Sequence, residues 1–262
     1  MTTRVVAHAA VLLSLLAFIP GCEKSEESSV SDLPELPARY ARKYLPFEPG
    51  WISELRIPIG PQRSPQMVIW EVSQFDPRVP ATPAQQKAGD DFVKRCFEVA
   101  QARNWFDRST GMADGFLTPG SDRLHHRNDD YVLDRIQLDP ERPEYLMYYS
   151  DPDRDGEQVL TGFMFLADGR EARGDQFAGP LAVWHYHKYT NARCWAGGGL
   201  LSTGMIDSQG KCPTGEVPRY RSPEMVHVWL IDHPRGPFST GMTLPDEVLR
   251  AGLAKRRETL GY

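Results

Sequence analysis

The chain carries seven histidines, and three of them sit at spacings that could do chemistry. His185 and His187 lie in the run Leu181–Tyr189, LAVWHYHKY, and His227 lies in MVHVWLID. In a strand, alternate side chains share a face. Leu181, Val183, His185 and His187 would then point one way, and Ala182, Trp184, Tyr186 and Lys188 the other. Met225, His227, Trp229 and Ile231 share a face in the same manner. If the two strands are neighbours, three imidazoles converge on one side of a sheet. His-x-His on one strand with a third histidine from another suits a metal, because each neutral imidazole offers a nitrogen at about 2 Å. Three protein ligands leave an open position for water or substrate. His125, Glu224 and Met225 are the candidates for a fourth ligand. With these donors the expected ions are zinc or copper.

The same residues have a structural reading. Histidines on half-buried strands also satisfy themselves with hydrogen bonds, and the chain would then hold no cofactor. Gly179, with five residues between it and His185-x-His187, matches the opening of the cupin metal motif. The Glu expected shortly afterwards is absent, since 188–193 read KYTNAR. Asp151-x-Asp153-x-Asp155-Gly156 resembles the start of a calcium loop, but position twelve is Gly162 rather than a bidentate Glu. A hairpin turn with solvated carboxylates is the better reading. No GxSxG, Walker A or HExxH sequence is present, so those hydrolase and nucleotide classes have no motif support.

The elements that must position the histidines follow from periodicity. Tyr145–Tyr149, Val159–Leu166, Leu181–Tyr189 and Met225–Ile231 read as strands, and Val68–Val72 as a further one. The strongest helix is 83–103. Thr82 is its N-cap, Pro83 suits the first turn, Gln85 completes a capping box, and Ala88, Phe92, Cys96 and Val99 form its apolar stripe. A closing helix spans Asp246–Arg257, capped by Asp246 or Thr243. Residues 107–142 are polar and turn-rich. The expected fold is α+β: a single domain, mainly antiparallel sheet from the C-terminal half, with the 83–103 helix on one face and a C-terminal helix.

The first segment is an address. Residues 1–22 have one early Arg, an apolar run too short to span a membrane comfortably, and the ending Ile19-Pro20-Gly21-Cys22. That ending resembles the lipobox of bacterial lipoproteins, with Pro20 as a departure. The resemblance implies cleavage before Cys22 and acylation of Cys22, and several acyl chains anchor firmly. Residues 1–21 are then a signal peptide, 22–38 a polar tether and 39–262 one globular domain. The expected location is extracytoplasmic, on the periplasmic or outer surface, with the membrane as partner through the lipid. A net charge of −5 gives no electrostatic footprint for nucleic acid. The sequence identifies no protein partner.

Export implies an oxidising compartment. Cys194 and Cys212 close a Gly-rich loop, and a disulfide between them would contribute about 3 kcal/mol on the chain-entropy model. Their rival role is thiolate ligation of a metal. Cys96 reads as a buried, inert thiol in the 83–103 helix.

At these residues a resemblance appears. Pro143-Glu144-Tyr-Leu-Met-Tyr148, Trp184-His-Tyr-His187, Cys194, Cys212-Pro213, Met225-Val-His-Val-Trp-Leu230 and Gly236-Pro-Phe238, with Leu124-His125-His126-Arg-Asn128 ahead of them, resemble an uncharacterised family of secreted bacterial (lipo)proteins. The similarity covers about residues 85–242. It implies no activity, but it does imply that His125, His185, His187 and His227 belong to one site. Two readings stand: a lipid-anchored protein with a histidine-rich metal site, or a non-enzymatic surface lipoprotein whose histidines are structural and whose outer face binds a partner.

Overall fold

A computed structural model describes residues 43–45, 52–57, 67–73, 75, 79–119, 124–167 and 174–261. All of them fall within one unit, Pro34–Tyr262. The signal segment, Cys22 and the tether lie outside the described residues. In chain order the elements are β1 (Lys43–Leu45), β2 (Ile52–Ile57), β3 (Met67–Ser73), α1 (Pro83–Ala102), α2 (Arg108–Ala113), β4 (His125–Arg127), α3 (Asp129–Asp134), β5 (Tyr145–Ser150), β6 (Gln158–Leu166), β7 (Trp184–Ala196), β8 (Leu201–Met205), β9 (Val217–Arg221), β10 (Met225–Trp229) and α4 (Asp246–Leu260). The fold is mixed α+β, with one antiparallel sheet ordered β1-β2-β3-β7-β10-β6-β5-β4, and with β8 and β9 both pairing β7. Among the described residues, no helix is long and apolar enough to cross a membrane.

Helix α1 begins where the capping box requires. The Thr82 hydroxyl accepts from Gln85 N–H at 3.2 Å, and Gln85 Oε1 accepts from Thr82 N–H at 2.9 Å. Its apolar stripe buries Cys96, Val99 and Ala100 against one face of the sheet, where Phe163, Phe165, Trp184, Val226 and Val228 form a continuous core. Phe92 meets Phe165 with ring centroids 5.4 Å apart. Each such side chain removed from water is worth about 1.5–3 kcal/mol. Cys96 lies within this core, and burial pushes its thiol up, which keeps it inert.

Several boundaries differ from the sequence pattern. Strand β7 starts at Trp184 rather than Leu181, because Gly179–Leu181 forms a 3-10 turn with Gly179 at φ +57°. It then runs on to Ala196, since its second half is paired by β8 on one side and β9 on the other. Helix α4 carries Pro245 at its N-cap with no side-chain cap, so neither Asp246 nor Thr243 fills that role. The polar stretch after α1 holds two short helices and β4. Asp107 caps α2 through Ser109 N–H, and Asn128 caps α3 through Asp130 and Tyr131 N–H.

The sheet is strongly curled. Two strands separate β10 from β4, which in a flat sheet would put them about 14 Å apart. Yet the rings of His125 and His227, one on each, lie 5.9 Å apart. Arg127 on β4 also reaches across to donate to the Ser202 carbonyl on β8 at 3.1 Å. Gly162 on β6 permits the tight approach: a Cβ there would stand 2.5 Å from Met147 Cε and 2.6 Å from the Val228 carbonyl oxygen. The convex face carries the α1 core. The concave face holds a second cluster containing Met147, Met164, Met225, Trp229 and Ile231, which the α4 residues Leu249 and Leu253 help to cover.

Candidate functional site

Pairing fixes which side chains share the concave face. Strands β7 and β10 are neighbours, with Met225 opposite His185. On β10, His227 stands opposite Met164 of β6, which in turn faces Tyr145 of β5. His125 of β4 stands opposite Met147 of β5. Residues directly opposite one another lie on one face. The concave face therefore brings together His185, His187, His227 and His125. Ring centroids are 4.7 Å apart for His185 and His227, 5.7 Å for His185 and His187, and 5.9 Å for His125 and His227. His185 and His227 are buried, at 0% and 1% exposure. His125 and His187 are half-buried and form the approach from outside.

Two of the imidazoles have defined electronic states. His227 Nδ1 lies 3.2 Å from the Ser239 carbonyl oxygen, and the Trp229 indole N–H donates to the same oxygen at 2.7 Å. A carbonyl only accepts, so Nδ1 carries the proton and Nε2 holds a lone pair. A backbone carbonyl behind one nitrogen is the usual way a ligating histidine is oriented. Both nitrogens of His185 are buried and neither has a partner in good hydrogen-bond geometry, the Val183 backbone making only a weak contact. Burial holds both groups well below the ordinary histidine range. At His185 the neighbouring His227, His187 and His125 add to that effect, while the Val183 backbone works weakly against it. At His227 the next contributor after burial is His125. Both rings are therefore neutral at pH 7.

The two tyrosines beside the site are also neutral. Burial raises the Tyr145 hydroxyl far above its ordinary range and the Tyr189 hydroxyl to about 12. The Tyr145 ring stands 6.1 Å from that of His125, and the Tyr189 ring 6.3 Å from that of His187. Among the described residues, the one buried carboxylate that register places beside a site histidine is Glu71 of β3, opposite His185. Its carboxylate accepts from the Thr240 hydroxyl and has Arg235 Nη2 at 3.6 Å. Glu71 was not among the residues expected from sequence. A lone Glu in the strand-like run Met67–Ser73 was the available signal.

Not every candidate joins the cluster. Glu224 faces away from it: strand alternation opposes it to Met225, and its buried carboxylate accepts from Gly174 N–H at 3.1 Å and Arg221 Nη2 at 3.2 Å. His126, next to His125, points to the convex side, where Arg108 donates to its Nε2 at 2.9 Å. Cys194 and Cys212 are disulfide-bonded, with Cα atoms 5.4 Å apart, which removes them as thiolate ligands. Asp151 closes the turn 150–156 by accepting from Asp153 N–H, and Asp153 pairs with Arg250, so the carboxylates there serve a turn.

Among the described residues, no group of three or more His, Cys, Asp or Glu side chains is placed so that it could hold a metal ion as it stands. The spacing is nonetheless close to what ligation needs. Two imidazoles on one tetrahedral ion, each with its nitrogen at about 2 Å, have centroids about 5 Å apart. No family model, curated protein or solved structure matches the chain.

Proposed function

We propose that this is a lipid-anchored extracytoplasmic protein whose concave sheet face binds one metal ion through His185, His187, His227 and His125. The observation that carries the metal reading is His185: a fully buried imidazole, neutral, with neither nitrogen in good hydrogen-bond geometry, among three other imidazoles. Leaving a buried polar group unpaired costs about 1–3 kcal/mol. Ligation by an ion satisfies that group, and the centroid spacings of 4.7–5.9 Å lie near the roughly 5 Å of two imidazoles on one ion. The Ser239 carbonyl behind His227 Nδ1 supports the same reading, because it leaves Nε2 as a donor to a metal. The anchor reading rests on the apolar run ending in Ile19-Pro20-Gly21-Cys22 and the Ser- and Glu-rich residues after it.

Calorimetric titration of metal-free, full-length protein in detergent tests the site. The expected result is one equivalent of zinc or cuprous copper bound tighter than micromolar, abolished by His185→Ala and by His227→Ala. Binding that survives both substitutions, or no binding of either ion, overturns it. Labelled palmitate tests the anchor: incorporation is expected in the wild-type protein and lost in Cys22→Ser. An unlabelled, soluble wild-type protein overturns that assignment.

A further inference from the structure

The strand register pairs three of the four site histidines with a methionine. His125 stands opposite Met147, His227 opposite Met164, and His185 opposite Met225. Side chains paired in this way share a face, with Cβ atoms about 4.5–5.5 Å apart. All three methionines are buried and pack in one cluster on the concave face. The chain has only eight methionines in 262 residues, so their alignment with the histidines is not a consequence of abundance.

Charge narrows the choice of ion. The carboxylate beside His185 in register, Glu71, is turned to Thr240 and Arg235. Glu224 faces the other side of the sheet and pairs with Arg221. An ion among the four imidazoles therefore has neutral donors around it, in a place where two of the rings are fully withdrawn from water. The cost of burying an uncompensated charge rises steeply with its magnitude, which disfavours a divalent ion relative to a monovalent one. Thioethers are soft donors that select cuprous copper over zinc, and imidazole accepts either ion.

We propose that the ion this site selects is cuprous copper, held in a four-coordinate shell by the buried His185 and His227 and the thioethers of Met164 and Met225, which take the places of the half-buried His125 and His187. The inference rests on the metal-site reading above and adds the identity of the ion and two thioether donors. Its rival is that the methionines only fill the concave cluster, as flexible core residues commonly do.

The test uses full-length protein in detergent under anaerobic, reducing conditions. Cuprous copper is titrated in competition with bicinchoninate, and zinc is titrated in parallel. Met164→Leu/Met225→Leu keeps core volume and is checked by its thermal melt. The expected result is one cuprous ion bound at least about 100-fold tighter than zinc, with a copper–sulfur shell in X-ray absorption of the wild-type protein. The double variant should lose at least tenfold in cuprous affinity, lose the sulfur shell, and keep its zinc affinity within about twofold. Zinc bound as tightly as cuprous copper, or copper bound without a sulfur shell, overturns this inference and leaves the histidine site standing. Binding of neither ion overturns the histidine site as well. The wild-type absorption spectrum decides the question even if the double variant does not fold.

Discussion

On the convex face of the sheet, two fully or nearly fully buried aromatic residues, Trp184 and Tyr148, bring their polar atoms to partners. Trp184 Nε1 donates to the Asp175 carbonyl at 2.9 Å, and the Tyr148 hydroxyl donates to the Trp105 carbonyl at 2.8 Å. On the concave face, a few ångströms away across the same strands, both nitrogens of His185 are buried without a partner in good hydrogen-bond geometry. Neighbouring residues on one strand thus meet different demands. Trp184 holds the fold together, and His185 stands in a place where folding alone does not require a histidine. Under the metal reading, ligation offsets the cost of that unpaired group.

The largest expected effect tests that contrast directly. Phe163→Ala on the convex face opens a cavity beside Trp105 and Phe165 and should cost about 3–5 kcal/mol in urea unfolding. His185→Leu on the concave face should leave the stability of the metal-free protein unchanged or raise it by about 1 kcal/mol, because the unpaired nitrogens go with the ring. A loss above about 2 kcal/mol for His185→Leu would make the imidazole part of the core and end the contrast.

The disulfide should rank next. It joins the end of β7 to the segment before β9 across a sequence separation of 18. Cys194→Ala/Cys212→Ala should cost about 3 kcal/mol through the freedom returned to the unfolded chain. Metal affinity should stay within about twofold, since the histidines on β7 lie in its other half. A tenfold loss of affinity would show that the extension of β7 holds the concave face in shape.

A smaller effect comes from Glu144, an acid by alternation turned away from the concave face. It is buried, its Oε2 has no hydrogen bond, and burial pushes its carboxyl well above the ordinary range. A raised folded-state value means that the unfolded state releases its proton first as pH rises. Its contribution is favourable below the ordinary carboxylate value and is lost as pH climbs through the folded value. Glu144→Gln should therefore match the wild type in acid and exceed it at pH 7, by about 1 kcal/mol or more. Urea midpoints between pH 4 and 8 measure this, and parallel curves for the two proteins would refute it.

The fold was legible where local chemistry decides it. Thr82, Pro83 and Gln85 marked the start of α1, and alternation in LAVWHYHKY put His185 and His187 on one face before any neighbour was known. The strands β1 and β2 were not legible, because Pro46, Pro49, Pro58 and Pro61 break the pattern on either side of them. His125 belongs to a strand of three residues in a polar stretch with no period to read. The pairing of histidines with methionines depends on register between strands far apart in sequence, and the curl that brings β4 toward β10 depends on the whole sheet. Neither leaves a trace within one segment.

The smallest expected effect concerns His233, a buried histidine six residues beyond His227. Its ring stacks on Trp229 at a centroid distance of 4.9 Å, and its Nδ1 accepts from Arg235 N–H at 3.1 Å. A nitrogen that accepts from the backbone has its lone pair engaged, so Nδ1 is not available to an ion. Trp229 in turn donates to the Ser239 carbonyl that orients His227, which leaves His233 one contact behind the cluster. His233→Ala should cost about 1 kcal/mol in stability through the lost stack and hydrogen bond. Copper and zinc affinities should stay within about twofold of wild type, where His227→Ala abolishes binding. A loss in His233→Ala comparable to that of His227→Ala would extend the site past Trp229 and break the division between histidines that bind and histidines that support.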